Sequence, residues 1–101
     1  MYFMAFDNLD GTFSVKMTEK FYEYVQFNGH SYFDILYALF DLKPRNFYHY
    51  VGAHYKASFR KGSIPNFILM FFKNKTDCEA LCKELDRRFG YCVKNNYISR
   101  G

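Results

Sequence analysis

The chain has no tryptophan, two prolines, six glycines and three cysteines among its 101 residues. Each scarcity excludes something. An odd number of cysteines, with no secretory leader ahead of them, points to a reducing compartment rather than a disulfide framework. No leader is expected, because Met1–Phe6 is apolar without a basic lead-in and Asp7 interrupts it at once. The longest uncharged run, Gly62–Phe72, falls well short of the roughly 20 apolar residues that a membrane span needs. The expectation is a soluble, cytoplasmic chain without membrane association. Its length leaves room for one domain with one core, residues 1–101.

Chemistry-bearing motifs are equally scarce. Gly52 and Gly62 are isolated and open no predicted helix, so no phosphate-cradling loop is present. The histidines sit in aromatic sequence without a nucleophile elbow, and the acids are scattered as cap residues and surface charges. Cys78 and Cys82, four apart on a predicted helix, share a face that Cys92 could approach. A zinc site wants a fourth ligand, which would have to be His30, His49 or His54, and no spacing selects one. The same two cysteines fall on an apolar stripe, where free cysteine packs as a small hydrophobe. The sequence therefore predicts binding rather than turnover, with no catalytic residue, metal or cofactor.

What the chain has in excess is aromatic side chains: thirteen Phe and ten Tyr. Residues whose codons need only A and T (Phe, Tyr, Asn, Lys, Ile) fill 43 of 101 positions, the usage of a low-GC bacterial or phage genome. Each large ring buries about 150–250 Å², so a core this small is not expected to absorb them all. Surplus tyrosines should reach the surface, where they suit a partner interface, a homodimer included. Charge is unevenly divided as well. Residues 1–41 carry six acids and two bases, whereas residues 42–101 carry twelve bases and four acids. Between Asp41 and Asp77 there are seven bases and no acid, a distribution that steers association with charged partners.

Hydrophobic periodicity gives an element order. Residues 2–6 and 12–17 read as a hairpin around Asn8–Gly11, with Asp-Gly as the turn signal. Phe21–Phe27 alternates and reads as a strand. Ser31 caps a helix whose apolar face includes Phe33, Leu36 and Phe40, and Pro44 stops it. Phe47–Phe59 alternates over thirteen residues and reads as a long strand bent at Gly52, with a short helix opening at Pro44 as the competing reading. Phe67–Phe72, apolar on both faces, reads as a central strand. A capping box of Thr76 and Glu79 starts the last helix, Gly90 ends it, and Tyr91–Ile98 closes as a strand. The predicted class is α+β: a ferredoxin-like β-α-β-β-α-β antiparallel sheet over residues 21–98, with two helices on one face and an N-terminal hairpin over 1–18 added.

The strand reading also nominates a surface. It places Phe47, Val51, Tyr55 and Phe59, with His49 and Ala53, toward the core. It places Tyr48, Tyr50, His54, Lys56 and Arg60 on the opposite face, with Lys61 and Arg45 at the rim. Rings interleaved with bases offer stacking for nucleic-acid bases and pairing for phosphates, and they equally describe a protein–protein hot spot.

Residues 21–93 resemble an RNA recognition motif domain. Leu36, Leu39 and Phe40 match its first helix, Pro65–Phe72 sits where that family carries its RNP1 strand, and Phe72, Cys78, Leu81 and Leu85 follow with the family's spacing. Of the ring positions on the RNA-contacting face only Phe67 is kept; Leu69 and Glu23 stand at others. The resemblance thus implies the ferredoxin-like fold more than RNA binding. In size and composition the chain resembles anti-CRISPR proteins. The expected function is an inhibitor or adaptor of phage or mobile-element type that binds a host protein or nucleoprotein complex; direct binding of RNA or single-stranded nucleic acid is the alternative.

Overall fold

A computed structural model describes residues 1–25, 32–62 and 68–95. Its elements are β1 (Phe3–Asp7), β2 (Phe13–Met17), α1 (Glu19–Tyr22), α2 (Tyr32–Phe40), α3 (Pro44–Tyr55), β3 (Ser58–Lys61), β4 (Ile68–Phe71) and α4 (Lys75–Lys94). The chain is α+β, as its periodicity implies.

The N-terminal hairpin forms where the turn residues place it. Phe3 pairs with Met17 and Asp7 with Phe13. The loop between them is held by its own side chains: Asp7 Oδ1 accepts the Leu9 N–H at 2.8 Å, and Asn8 Nδ2 donates to Ser14 Oγ at 2.8 Å. Leu9 and Gly11 take positive φ there, of 64° and 88°. Phe3 and Val15 face inward and are buried, while Met4 and Phe6 face outward.

The third expected strand is corrected. Glu19–Tyr22 is a single helical turn, extended by the Val25 N–H donating to the Phe21 carbonyl at 3.2 Å. Alternation would bury Glu23 with Phe21, but Glu23 is exposed while Tyr24 and Val25 are half-buried, a spacing of three and four. The cause is tertiary: Phe21 inserts between Phe3 and Phe89, at ring-centroid distances of 5.2 and 4.9 Å. Phe27 and Ser31 lie outside the described residues.

Helix α2 follows the sequence reading, with Leu36 and Phe40 buried. Its stop is made before Pro44. Asp41 adopts φ 52°, the Leu42 N–H donates to the Tyr37 carbonyl at 3.1 Å, and the Asp41 N–H donates to the Ala38 carbonyl at 3.1 Å. That pair of bonds is a Schellman ending.

The long strand is the largest correction. Residues Pro44–Tyr55 form a twelve-residue helix with proline in its first turn, and only Ser58–Lys61 is strand. Phe47 and Val51 are fully buried and Tyr55 half-buried, at a spacing of four that satisfies both a two-residue and a 3.6-residue period. His49 and Ala53 separate the two readings. A strand would bury both, and both are exposed.

Strand β4 lies where the apolar run predicts, but it belongs to a two-stranded sheet instead of being central, and pairs with β3, Phe59 opposite Met70. Its own side of contact with the hairpin is one bridge, Phe13–Phe72, with reciprocal N–H to carbonyl bonds of 2.8 Å. The described order is therefore β-β-α-α-α-β-β-α with two two-stranded antiparallel sheets, and a continuous ferredoxin-like sheet is not formed among the described residues.

Helix α4 is the spine of the core. It buries Cys78, Leu81, Cys82, Leu85 and Phe89 against the hairpin, α2 and α3. Asn74, not Thr76, holds the N-cap position, so the Thr76–Glu79 capping box is not made. The helix also runs through Gly90 and Tyr91 to Lys94, replacing the expected stop and the first part of the expected closing strand. The Tyr2 ring lies 4.0 Å from where a Gly90 Cβ would stand, an ordinary contact, so neither termination nor packing requires glycine here. Residues 96–101 lie outside the description. None of the described helices is long and apolar enough to cross a membrane.

Candidate partner-binding surface

The residues nominated from the sequence fall mainly on α3, and helical geometry sorts them differently from a strand. Phe47 and Val51 anchor the helix to α4 and α2, leaving its opposite side to solvent. Arg45 and His49, one turn apart, lie on that open side and form a polar ridge. Lys56 is exposed beyond its C-terminal end, as the C-cap in a left-handed conformation. His49 is the member that the strand reading assigned to the core; the i, i+4 spacing from Arg45, just behind a proline at the start of a helix, was the available signal.

Tyr50 and His54 lie on one flank of the helix, between the open side and the buried Phe47–Val51 stripe, their rings 4.2 Å apart. Tyr50 leans on Phe40 at 5.9 Å and keeps 37 % of its surface exposed. The ring pair is thus partly supported from beneath and open above. Lys56 also lies at the C-terminal end of α3, where positive charge complements the helix dipole. No acidic residue occurs in α3, β3 or the chain between them.

Two nominated residues leave the group. Tyr48 turns to the other flank of the helix, its hydroxyl bonded to that of Tyr37 and its ring 5.0 Å from Phe59. Arg60 lies with its guanidinium 5.6 Å from the Phe71 ring centroid, on the side of the hairpin turn. There its charge adds to the Thr12 hydrogen bonds that hold the Asp10 carboxyl below its ordinary range. Lys61 is exposed at the end of β3. Among the described residues, the other exposed aromatics, Phe6, Tyr22 and Tyr91, sit on β1, α1 and α4.

The cysteines take the packing role expected of them. Cys78 and Cys82 are buried in the α4 stripe, and the hydrogen bond that the Cys82 thiol donates to Cys78, then burial, push the Cys82 thiol well above its ordinary value. Among the described residues no group of three or more His, Cys, Asp or Glu side chains is placed to hold a metal ion. His49 and His54 stand on a solvent-facing helix and have no Ser or Cys hydroxyl or thiol as a described hydrogen-bonding partner. The arrangement can pair with anionic groups and offer a ring face. Compared with protein-family models, curated proteins and solved structures, the chain finds no match, and its function has to be read from its own residues.

Proposed function

We propose that this chain is a non-catalytic binding protein that seats α3 on an anionic surface of a nucleic-acid-handling complex and blocks it by occupancy, as an inhibitor or adaptor. The observation that supports this reading is the acid-free helix, rooted by Phe47 and Val51, whose open side carries Arg45 and His49, with Lys56 at its C-cap and the Tyr50–His54 ring pair on its flank. A rooted helix loses little conformational freedom on docking. Tyr and Arg are the side chains in which binding energy concentrates. Clustered positive charge accelerates encounter with a negative surface.

The test is affinity capture with nuclease treatment, comparing the natural chain with Arg45→Glu/Lys56→Glu and with Tyr50→Ala. A protein complex retained by the natural chain and lost from both variants is the expected result; unchanged retention by both overturns the assignment of α3. Direct binding of single-stranded nucleic acid is the second reading, favoured by the exposed ring pair, on which a base can stack. It requires a gel shift that weakens steeply as salt rises.

A further inference from the structure

Beyond the Phe13–Phe72 bridge, β2 and β4 part, and they leave main-chain groups behind. In an antiparallel strand the N–H and C=O of alternate residues face the same neighbour. Phe72 exchanges both of its groups with Phe13, so Met70 and Ile68 turn theirs toward β2 as well. Continuing the register would bring Val15 opposite Met70, but no ladder forms there. The Val15 carbonyl instead accepts the Tyr32 hydroxyl at 3.2 Å. Among the described residues, the N–H and C=O of Met70, which is buried, and of Ile68 make no hydrogen bond on that side. Buried main-chain groups of this kind are costly to leave unmatched.

These groups border a cleft of about 460 Å³, the size of a ligand pocket. Its far wall is aromatic, built from Phe33 and Tyr37 of α2 and Tyr48 of α3. Phe33 and Tyr37 stack with centroids 5.9 Å apart, and Tyr48 stands edge-on to both. Burial first, then the bond to Tyr48, pushes the Tyr37 phenol well above its ordinary value, so this wall stays uncharged. The cleft thus joins a strand edge, which asks for one N–H and one C=O from the same residue, to a set of rings that asks for an apolar side chain. An extended main chain meets both demands at once.

We infer that the β4 edge in this cleft binds an extended, uncharged peptide segment of a partner protein as an added antiparallel strand. One residue of the segment exchanges both main-chain bonds with Met70. Opposed residues of a ladder share a face, so its side chain lies beside that of Met70, on the side of the rings, and is aromatic or aliphatic. The slot does not depend on the role proposed for the open side of α3.

The experiment titrates the full chain with acetyl-Thr-Phe-Thr-amide, followed by amide chemical shifts. Saturable shifts at Met70, Ile68 and Phe33 are expected. N-methylation of the phenylalanine nitrogen removes the donor that faces Met70 and should weaken binding about tenfold or more. N-methylation of the following threonine, whose N–H points away from β4, should change it about twofold or less. Alanine in place of the phenylalanine should weaken binding about fivefold or more. No saturable binding, equal losses from the two N-methyl groups, undiminished affinity of the alanine peptide, or shifts confined to β1 or β3 overturns the site. 3-Phenylpropanol, a ring without a main chain, tests a small aromatic occupant: binding at the same residues as tight as that of the tripeptide overturns it too.

Discussion

Asp86 shows how a single carboxylate can fix an architecture. From α4 its Oδ1 accepts the N–H groups of Tyr2 at 2.7 Å and Phe3 at 2.9 Å, 84 and 83 positions away in sequence. These charge-assisted bonds fasten the first strand to the last helix. Asp86→Ala should cost about 2–3 kcal/mol in urea unfolding, and Asp86→Asn, which keeps an acceptor, measurably less. Lys56 has the opposite character: its φ of 56° puts a side-chain-bearing residue in the left-handed region at the end of α3. Lys56→Gly should raise stability by about 0.5–1 kcal/mol while weakening binding to an anionic partner, separating the two roles in one variant. Glu84 is titratable within reach of a pH experiment. The Arg87 hydrogen bond first, joined by the Arg87 charge and the Arg88 hydrogen bond and charge, holds its carboxyl below the ordinary 4.5 against the opposing effect of burial. A depressed carboxylate stabilises above its unfolded pKa and loses that contribution as pH falls through the folded one. Glu84→Gln should therefore flatten the stability profile below about pH 4.5 and change little near pH 2, a modest effect for a pair this open to solvent. None of Asp86's role could be read from the sequence, because its partners are backbone groups at the far end of the chain.

At the level of elements, glycine distinguishes the sequence reading from the structure most sharply. A strand bent at Gly52 would need its flexibility; a helix interior would not. A Cβ there would meet the Ala57 carbonyl oxygen at 3.6 Å and the Phe59 ring at 4.0 Å, ordinary contacts. Gly52→Ala should accordingly stabilise by about 0.5–1 kcal/mol in thermal or urea melts, and Gly90→Ala, inside α4, by a similar amount. Loss of stability in both would contradict the helical assignment. The elements legible in advance were those specified locally: the hairpin by its turn residues, α2 and α4 by their stripes, and β4 by its apolar run. Elements that misled are those where two periods coincide or a distant ring decides. Phe47, Val51 and Tyr55 fit a strand and a helix equally, so their burial was anticipated correctly while the face opposite was not. Phe21 alternates convincingly with Val25, yet Phe89 recruits it into a helical turn. Five of the seven nominated surface residues still fall on or next to α3, because composition marked the segment even where periodicity misassigned its shape.

Across the whole molecule, burial of phenols sets a limit at high pH. Tyr32, Tyr37 and Tyr55 all have hydroxyls pushed above the ordinary 10.0, by burial first in each case. A group whose pKa is raised on folding contributes stability below its unfolded value and loses it as pH rises. Stability should fall steeply above about pH 10, and Tyr37→Phe should make that fall shallower although it forfeits the Tyr48 bond at neutral pH. A second molecular property follows from the tie between β1 and α4. A ribosome delivers the hairpin before α4, with the inward side chains Phe3 and Val15 on one face of the pair. Their cover, Leu81, Leu85 and Phe89, follows more than sixty residues later. Local pairing of the hairpin therefore cannot bury its own apolar side during synthesis. Until α4 follows, the inward side of the hairpin lacks the cover it has in the folded chain, so the last described helix completes the core around the first strands.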